Sequence, residues 1–271
     1  MPELPEVETT RRGIDPYVVG RRIEALVVRE PRLRWPVPEE LPGRVAGQRV
    51  LRTARRAKYL LLELERGTLL LHLGMSGSLR MLPAGVPPRR HDHLELQLDS
   101  GASLHFNDPR RFGSLHYTEA DPAVHPLLAR LAPEPFDPGF TGEYLWRITR
   151  RRRVPVKSLL MNSRLVVGVG NIYASEALYR AGIRPTRTAG RLTRPELERL
   201  AHAVRAVLTG AVRAGGTTLR DYVGADGRPG AFRRKLFVYE RAGEPCRHCG
   251  VRIRRIAQGR RSSYFCPNCQ R

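Results

Sequence analysis

The apolar positions of this chain change their spacing about halfway along it. Up to residue 118 they fall in short runs at 22–29, 48–55, 59–64, 68–73, 93–98, 103–107 and 114–118, rich in leucine or β-branched residues and bounded by Gly, Pro, Asp or Ser. Runs of that length and punctuation predict strands, and their even spacing predicts a sandwich or barrel-like β domain. One helix is expected before them over 5–15, with Pro5 at its start, Gly13 near its end and Pro16 just beyond. From about Ala123 the period becomes helical, most clearly over 194–214, where Leu197, Leu200, Ala201, Val204, Val207, Leu208, Ala211 and Val212 make one stripe. Between the two regimes, Pro133, Pro135 and Pro138 resist both helix and strand ladder and mark the expected linker. The pattern predicts an α+β protein with an N-terminal β domain over 1–132, a linker over 133–140, a helical domain over 141–234 and a tail over 235–271.

Charge narrows what such a protein binds. Against 26 Asp+Glu the chain carries 48 Lys+Arg, a formal net charge of +22, which calls for a polyanionic partner, nucleic acid first. An anionic membrane would also attract it, but no apolar run reaches spanning length and no basic amphipathic helix is sustained. The first twenty residues lack the apolar core of a secretory signal, so an intracellular, cytoplasmic location is expected. Only Lys58, Lys157 and Lys235 are lysines. If arginine serves wherever it can, these three mark places that need a compact or titratable ammonium.

The opening run Pro2-Glu3-Leu4-Pro5-Glu6-Val7-Glu8-Thr9 sets an amine beside three carboxylates. Removal of Met1 would make Pro2 a nucleophile, because an α-amino group titrates near ~7.7–8.0 whereas lysine lies near ~10.4. A secondary amine attacking an aldehyde-level sugar carbon gives an iminium with no N–H proton to shed, an electron sink for elimination. The plain alternative is a helix start, with Pro5 in the first turn and acids suited to its dipole.

Cys246-x2-Cys249 and Cys266-x2-Cys269, the only cysteines, are separated by a sixteen-residue spacer. Two such knuckles supply four thiolates around one structural zinc, with a hairpin between them; inside a reducing compartment two disulfides are the poorer reading. The hairpin should turn near Gln258-Gly259, with Arg260 and Arg261 at its tip, where arginine forks suit phosphate. A run from Lys157-Ser158-Leu159-Leu160 to Val167-Gly168-Val169-Gly170-Asn171-Ile172-Tyr173-Ala174-Ser175-Glu176 reads as two helices joined through glycines, with Asn171 expected to cap the second and to face phosphate. Two tight turns, His72-Leu73-Gly74-Met75-Ser76-Gly77 and Asn107-Asp108-Pro109-Arg110-Arg111-Phe112-Gly113, offer Met, Arg and Phe as wedges for a base stack if they stand together, and as ordinary core residues if they do not.

Taken jointly with Arg56-Ala57-Lys58-Tyr59-Leu60, these motifs resemble the bacterial formamidopyrimidine-DNA glycosylases, over essentially the whole chain. The resemblance implies a β-sandwich, a helix-two-turns-helix domain and a zinc hairpin, with damaged duplex DNA crossing a cleft between the domains and a monomer sufficing. It implies excision of 8-oxoguanine and ring-opened purines, with Pro2 as nucleophile at the deoxyribose C1′ and Glu3 moving protons, Glu6 nearby. Lys58, His72, His91, Asn171, Tyr239 and Arg261 would contact phosphate and organise the site. Met75, Arg110 and Phe112 would fill the gap left by the flipped nucleotide, Arg110 facing the orphaned cytosine. A loop containing Thr217, Thr218, Leu219, Arg220, Asp221 and Tyr222 would close over the extruded base. Zn2+ would be held by Cys246, Cys249, Cys266 and Cys269. Phe237 and Glu240 depart from the polar residue and glycine usual in the family, and Asn162 from a common acid. The rivals are an endonuclease VIII-type enzyme for oxidised pyrimidines, against which Leu4, the Arg110 to Phe112 loop and the Gly216-Thr217 loop speak, and a non-catalytic zinc-dependent DNA-binding protein.

Overall fold

The computed structural model describes residues 2–217 and 232–271. Contacts divide the chain into one unit of Met1–Ala129 with Ala214–Arg233 and a second of Arg130–Arg213 with Arg234–Arg271. The first unit begins with helix α1 (Leu4–Val18) and continues as strands β1 (Ile23–Val28), β2 (Val50–Arg56), β3 (Tyr59–Leu64), β4 (Gly67–His72), β5 (Ser78–Pro83), β6 (Asp92–Leu98), β7 (Ala102–Asn107) and β8 (Ser114–Thr118), with the short helix α2 (Leu41–Val45) between β1 and β2. They form two antiparallel four-stranded sheets in the orders β1-β6-β7-β5 and β2-β3-β4-β8.

One core joins both sheets. Leu60, Leu62 and Leu64 on β3 and Leu69 and Leu71 on β4 pack with Leu94, Leu96 and Leu98 on β6 and Leu104 and Phe106 on β7. Period-two alternation explains why every second residue faces this layer. From α1, Val7, Ile14 and Val18 enter the same core, a spacing that keeps one helix face inward.

Two elements depart from the expected pattern. Helix α1 does not stop before Pro16 but carries it inside, ending at Val18. Complete burial of Ile14 and Val18 outweighs the lost backbone bond, which falls in the final turn. Strand β5 is not anticipated by the spacing of apolar runs, because Ser78-Leu79-Arg80-Met81-Leu82-Pro83 has a mixed face and ends in proline. It is an edge strand, where a proline is tolerated.

The second unit holds helices α3 (Gly142–Thr149), α4 (Val156–Leu160), α5 (Asn171–Ala181) and α6 (Arg194–Arg213), followed by the hairpin β9 (Arg254–Gln258) and β10 (Arg261–Phe265). The expected stripe of α6 is buried from Leu197 to Ala211 and packs on α3 and α5. Residues 133–139 form turns without helix or strand.

Candidate active site

The chain's first turn is built around one carboxylate. Glu3 is the N-cap of α1 in extended backbone, with a proline in the first turn behind it, and Pro2 beside it is buried. Glu3 and Glu6 are both only 2% exposed. The Glu3 N–H donates to Glu6 Oε2 at 2.8 Å, as in a capping box, and the Thr217 N–H donates to Glu6 Oε1 at 2.8 Å across 211 residues of sequence. Glu6 therefore ties the turn holding Pro2 and Glu3 to the first residue of the expected base-gripping loop. Gly216 makes this possible: its φ is +79° and a Cβ there would stand 3.1 Å from Glu6 Oε1. Thr218, Leu219, Arg220, Asp221 and Tyr222 lie outside the described residues.

Lys58 sits in the two-residue turn between β2 and β3, where Arg56 pairs with Tyr59 and Ala57 takes the left-handed φ of 53°. Arg55 braces this turn: its Nη1 donates to the Ala57 carbonyl at 3.0 Å and its Nε lies 3.2 Å from Glu8 Oε2 on α1. Burial pushes the Glu8 carboxyl up, but hydrogen bonds from Arg11 and Arg12 and the charges of Arg11 and Arg55 outweigh it and hold it below the usual range. Nearby, burial and then the charges of Lys58 and Arg34 lower His72 to about 4. Its Nδ1 accepts the Gly74 N–H at 3.0 Å, so the ring is neutral with its proton on Nε2.

The three wedge candidates stand together. Met75 is 37% exposed and Phe112 42%, Arg110 is exposed, and its guanidinium lies 5.0 Å from the Phe112 ring centre. The loops meet backbone to backbone, since a Cβ on Gly74 (φ +66°) would fall 2.4 Å from Gly113 N. His91, at φ 71°, is half-buried and lends its carbonyl to the Asp108 N–H at 3.0 Å.

In the second unit, Asn171 is not the cap of α5. Gly170 is the N-cap and Asn171 the first helical residue; the amide side chain turns to Tyr239 instead, Nδ2 donating to its hydroxyl at 3.5 Å. Asn171 Oδ1 is buried with no hydrogen-bond partner among the described residues. Tyr239 is held from behind by Glu176, which accepts the N–H groups of Phe237, Val238 and Tyr239, each at 2.9 Å. Burial raises the Glu176 carboxyl above its ordinary value in spite of those three bonds. Arg261 opens β10 beside the left-handed Gly259 at the hairpin tip. It lines a pocket of about 250 Å³ together with Lys157, Ser158, Met161, Gln258, Arg260 and Ser263. The Lys157 ammonium, 2% exposed, donates to the Ser262 carbonyl at 2.9 Å and to Ser263 Oγ at 2.7 Å, so one of the three lysines fills a buried place suited to a compact cation.

The four cysteine Sγ atoms lie within 4.8 Å of one another, with Cys246 and Cys269 at 3.9 Å and Cys249 and Cys266 at 3.5 Å. A tetrahedral site with Zn–S near ~2.3 Å needs sulfur separations of about 3.8 Å, and the donor set fits a structural zinc. Burial pushes the Cys246 thiol up, but the Tyr179 hydroxyl and the backbone amides of His248 and Cys249 bring it down to about 6, whereas burial and the neighbouring thiols raise Cys269, so that a cation is needed to hold all four as thiolates.

A family model described as the formamidopyrimidine-DNA glycosylase N-terminal domain matches residues 1–115, one for the H2TH domain of the same glycosylase matches 131–223, and a zinc finger found in FPG and IleRS matches 243–271. A relative from Thioalkalivibrio sulfidiphilus, named formamidopyrimidine-DNA glycosylase, is 58% identical over 271 residues, all of both chains. The chain belongs to the formamidopyrimidine-DNA glycosylase family. Among solved structures, the Fpg protein of Thermus thermophilus is 42% identical with a TM-score of 0.89, covering 99% of this chain and 98% of its own. A Lactococcus lactis Fpg variant in complex with Fapy-dG-containing DNA is 32% identical with a TM-score of 0.93, covering 99% of each.

Two of the residues expected to depart from the family pattern differ in how the structure takes them. Phe237 stacks on Tyr179 with ring centres 5.4 Å apart, and the guanidinium groups of Arg180 and Arg247 lie 5.8 and 5.6 Å from its ring. Glu240 has φ 59°, the left-handed region that explains why glycine is usual there. Asn162 keeps the acceptor that an acid would supply, its Oδ1 taking the Arg164 N–H at 3.0 Å. Sequence reasoning assigned no role to Glu176, Arg55 or Asp108. An acid inside the apolar run Ala174-Ser175-Glu176-Ala177-Leu178 was the signal for Glu176, since a buried carboxylate demands donors.

Proposed function

We propose that this chain is a bifunctional DNA glycosylase and abasic-site lyase that excises 8-oxoguanine and formamidopyrimidines from duplex DNA. The unblocked Pro2 nitrogen attacks C1′ of the damaged nucleotide, the C1′–N glycosidic bond breaks, and the base leaves with a proton. The C1′–O4′ bond then breaks with a proton delivered to O4′, leaving the iminium; loss of a C2′ proton expels the 3′ phosphate by β-elimination and loss of a C4′ proton expels the 5′ phosphate by δ-elimination. Glu3, buried next to Pro2, exchanges the protons of base loss and ring opening. Glu6 keeps this turn and the start of the base-gripping loop in register. Lys58, His72, His91, Asn171, Tyr239 and Arg261 hold the phosphates, and Met75, Arg110 and Phe112 occupy the gap, offsetting the few kcal/mol of unstacking.

The observation that carries this reading is the bridge from Glu6 to both Glu3 and Thr217, which joins the amine-bearing turn to the loop that would hold a flipped base. The enzyme acts as a monomer in the cytoplasm; among the described residues no helix is long and apolar enough to cross a membrane. The proposed functional division remains 1–132, 133–140, 141–234 and 235–271. Borohydride should trap a covalent complex through the N-terminus on an 8-oxoguanine duplex, and replacing Pro2 should abolish it. Undiminished trapping without Pro2, or cleavage at full rate by protein that retains Met1, overturns the mechanism. Turnover of 8-oxoguanine and thymine glycol duplexes side by side separates it from the pyrimidine-directed rival.

A further inference from the structure

The two loops that carry the wedge share a single buried carboxylate. Asp108 is fully buried. Its Oδ1 accepts the Ser76 hydroxyl at 2.7 Å, from the loop of Met75, and the Arg110 N–H at 3.4 Å; its Oδ2 accepts the Gly113 N–H at 2.7 Å. Its backbone reaches a third turn, the N–H donating to the His91 carbonyl at 3.0 Å and its own carbonyl accepting from His93 Nε2 at 2.8 Å. Two of the side chain's partners, the Gly113 and Arg110 N–H groups, can only donate, one to each oxygen; a carboxylate accepts from both, whereas an amide that keeps Gly113 turns its NH2 toward the Arg110 N–H, Ser76 being able to accept as well as donate. Phe106 closes the space below: a Cβ on Gly113 would stand 2.5 Å from its ring and 3.1 Å from Asp108 Oδ2. Arg111, at φ 54°, reverses the chain between Arg110 and Phe112, and its guanidinium is anchored to Glu30 at 3.2 Å.

We propose that Asp108 is a positioning residue that fastens Met75, Arg110 and Phe112 into one preformed wedge, and that through Arg110 it sets which base is accepted opposite the lesion. The inference rests on the wedge role given to those three residues above. An unfastened loop would have to be ordered during insertion, at a cost in backbone entropy for each residue fixed. Asp108 removes that cost beforehand and keeps the Arg110 guanidinium at one height over Phe112. A loose Arg110 would reach either orphaned base with similar ease, so fastening governs discrimination as well as rate.

The test compares wild type, Asp108→Asn and Ser76→Ala in single-turnover excision of 8-oxoguanine opposite dC and opposite dA, with borohydride trapping on an abasic duplex alongside. In Asp108→Asn the amide NH2 faces either the Gly113 N–H or the Arg110 N–H, and the dC-to-dA rate ratio should fall about tenfold, while trapping on the abasic duplex persists. Ser76→Ala, which removes one of the three bonds, should lower the ratio about threefold and decides the matter alone if Asp108→Asn does not fold. Equal slowing opposite both bases overturns the inference, because Asp108 then serves only the fold. So does a wild-type protein without preference between dC and dA. Absence of trapping by the wild type would instead sink the proposed function, so the two failures are distinguishable.

Discussion

The first unit and the zinc hairpin reach order by opposite means. In the first, leucines from two sheets and the inner face of α1 meet in one continuous apolar layer, and the groups offered for chemistry hang from its rim by buried carboxylates such as Glu6 and Asp108. Among the described residues the buried cluster at the hairpin is small, Val238, Cys246, Ile253 and Cys266, edged by Tyr179, Cys249, Tyr264 and Cys269. Four of those eight side chains are the zinc-binding cysteines. So little apolar surface cannot offset the entropy of ordering two strands, and coordination must replace packing. A core tolerates loss of one member at a graded cost, whereas a closed tetrahedral shell fails when any ligand goes.

The largest expected effect follows from that contrast. Stripping zinc with a chelator, or Cys249→Ser, should unfold the hairpin, since structural zinc contributes on the order of 10 kcal/mol of folding free energy. Cooperative melting of the β unit should persist, so calorimetry and zinc release on the full chain check the separation. If the β transition vanishes too, the two regions do not stand apart. Next, Phe106→Ala, at a residue 1% exposed, should cost the β unit about 3–5 kcal/mol and leave zinc content unchanged. A urea midpoint shift worth under about 1 kcal/mol would mean that the apolar layer is not what holds this unit.

A smaller and pH-dependent effect belongs to His72, held at about 4 chiefly by burial and then by Lys58 and Arg34. Its ordinary value is about 6.5, so on acidification the unfolded chain takes up the proton first. The contribution of His72 is therefore complete above pH ~6.5 and is lost as pH falls toward ~4, roughly 3 kcal/mol in all. His72→Asn, which retains an acceptor for the Gly74 N–H, should flatten the stability profile in that window. Identical acid profiles for the two proteins would show that the ring is not kept neutral by its surroundings.

Much of this molecule was legible before folding was considered. Strands β3 and β8 begin and end where their apolar runs do, because glycine or charged turns bound them on both sides. Helix α6 follows its stripe. The four cysteines needed only their spacing. Local rules erred where distant burial overrode them: Pro16 inside α1, and Asn171, whose side chain turns to Tyr239 and not to its own helix end.

Composition, period and motif spacing were enough to specify most of the strands, the helical half, the metal tail and the excess of positive charge, since each depends on composition or on neighbours a few positions away. The fastenings came only with the folded chain: Glu6 to Thr217, Asp108 to Ser76 and Gly113, Glu176 to the segment of Tyr239, and Lys157 to the hairpin. Such bonds join residues with no fixed separation along the sequence, and a buried polar group announces its need for a partner without naming which one the tertiary structure will supply.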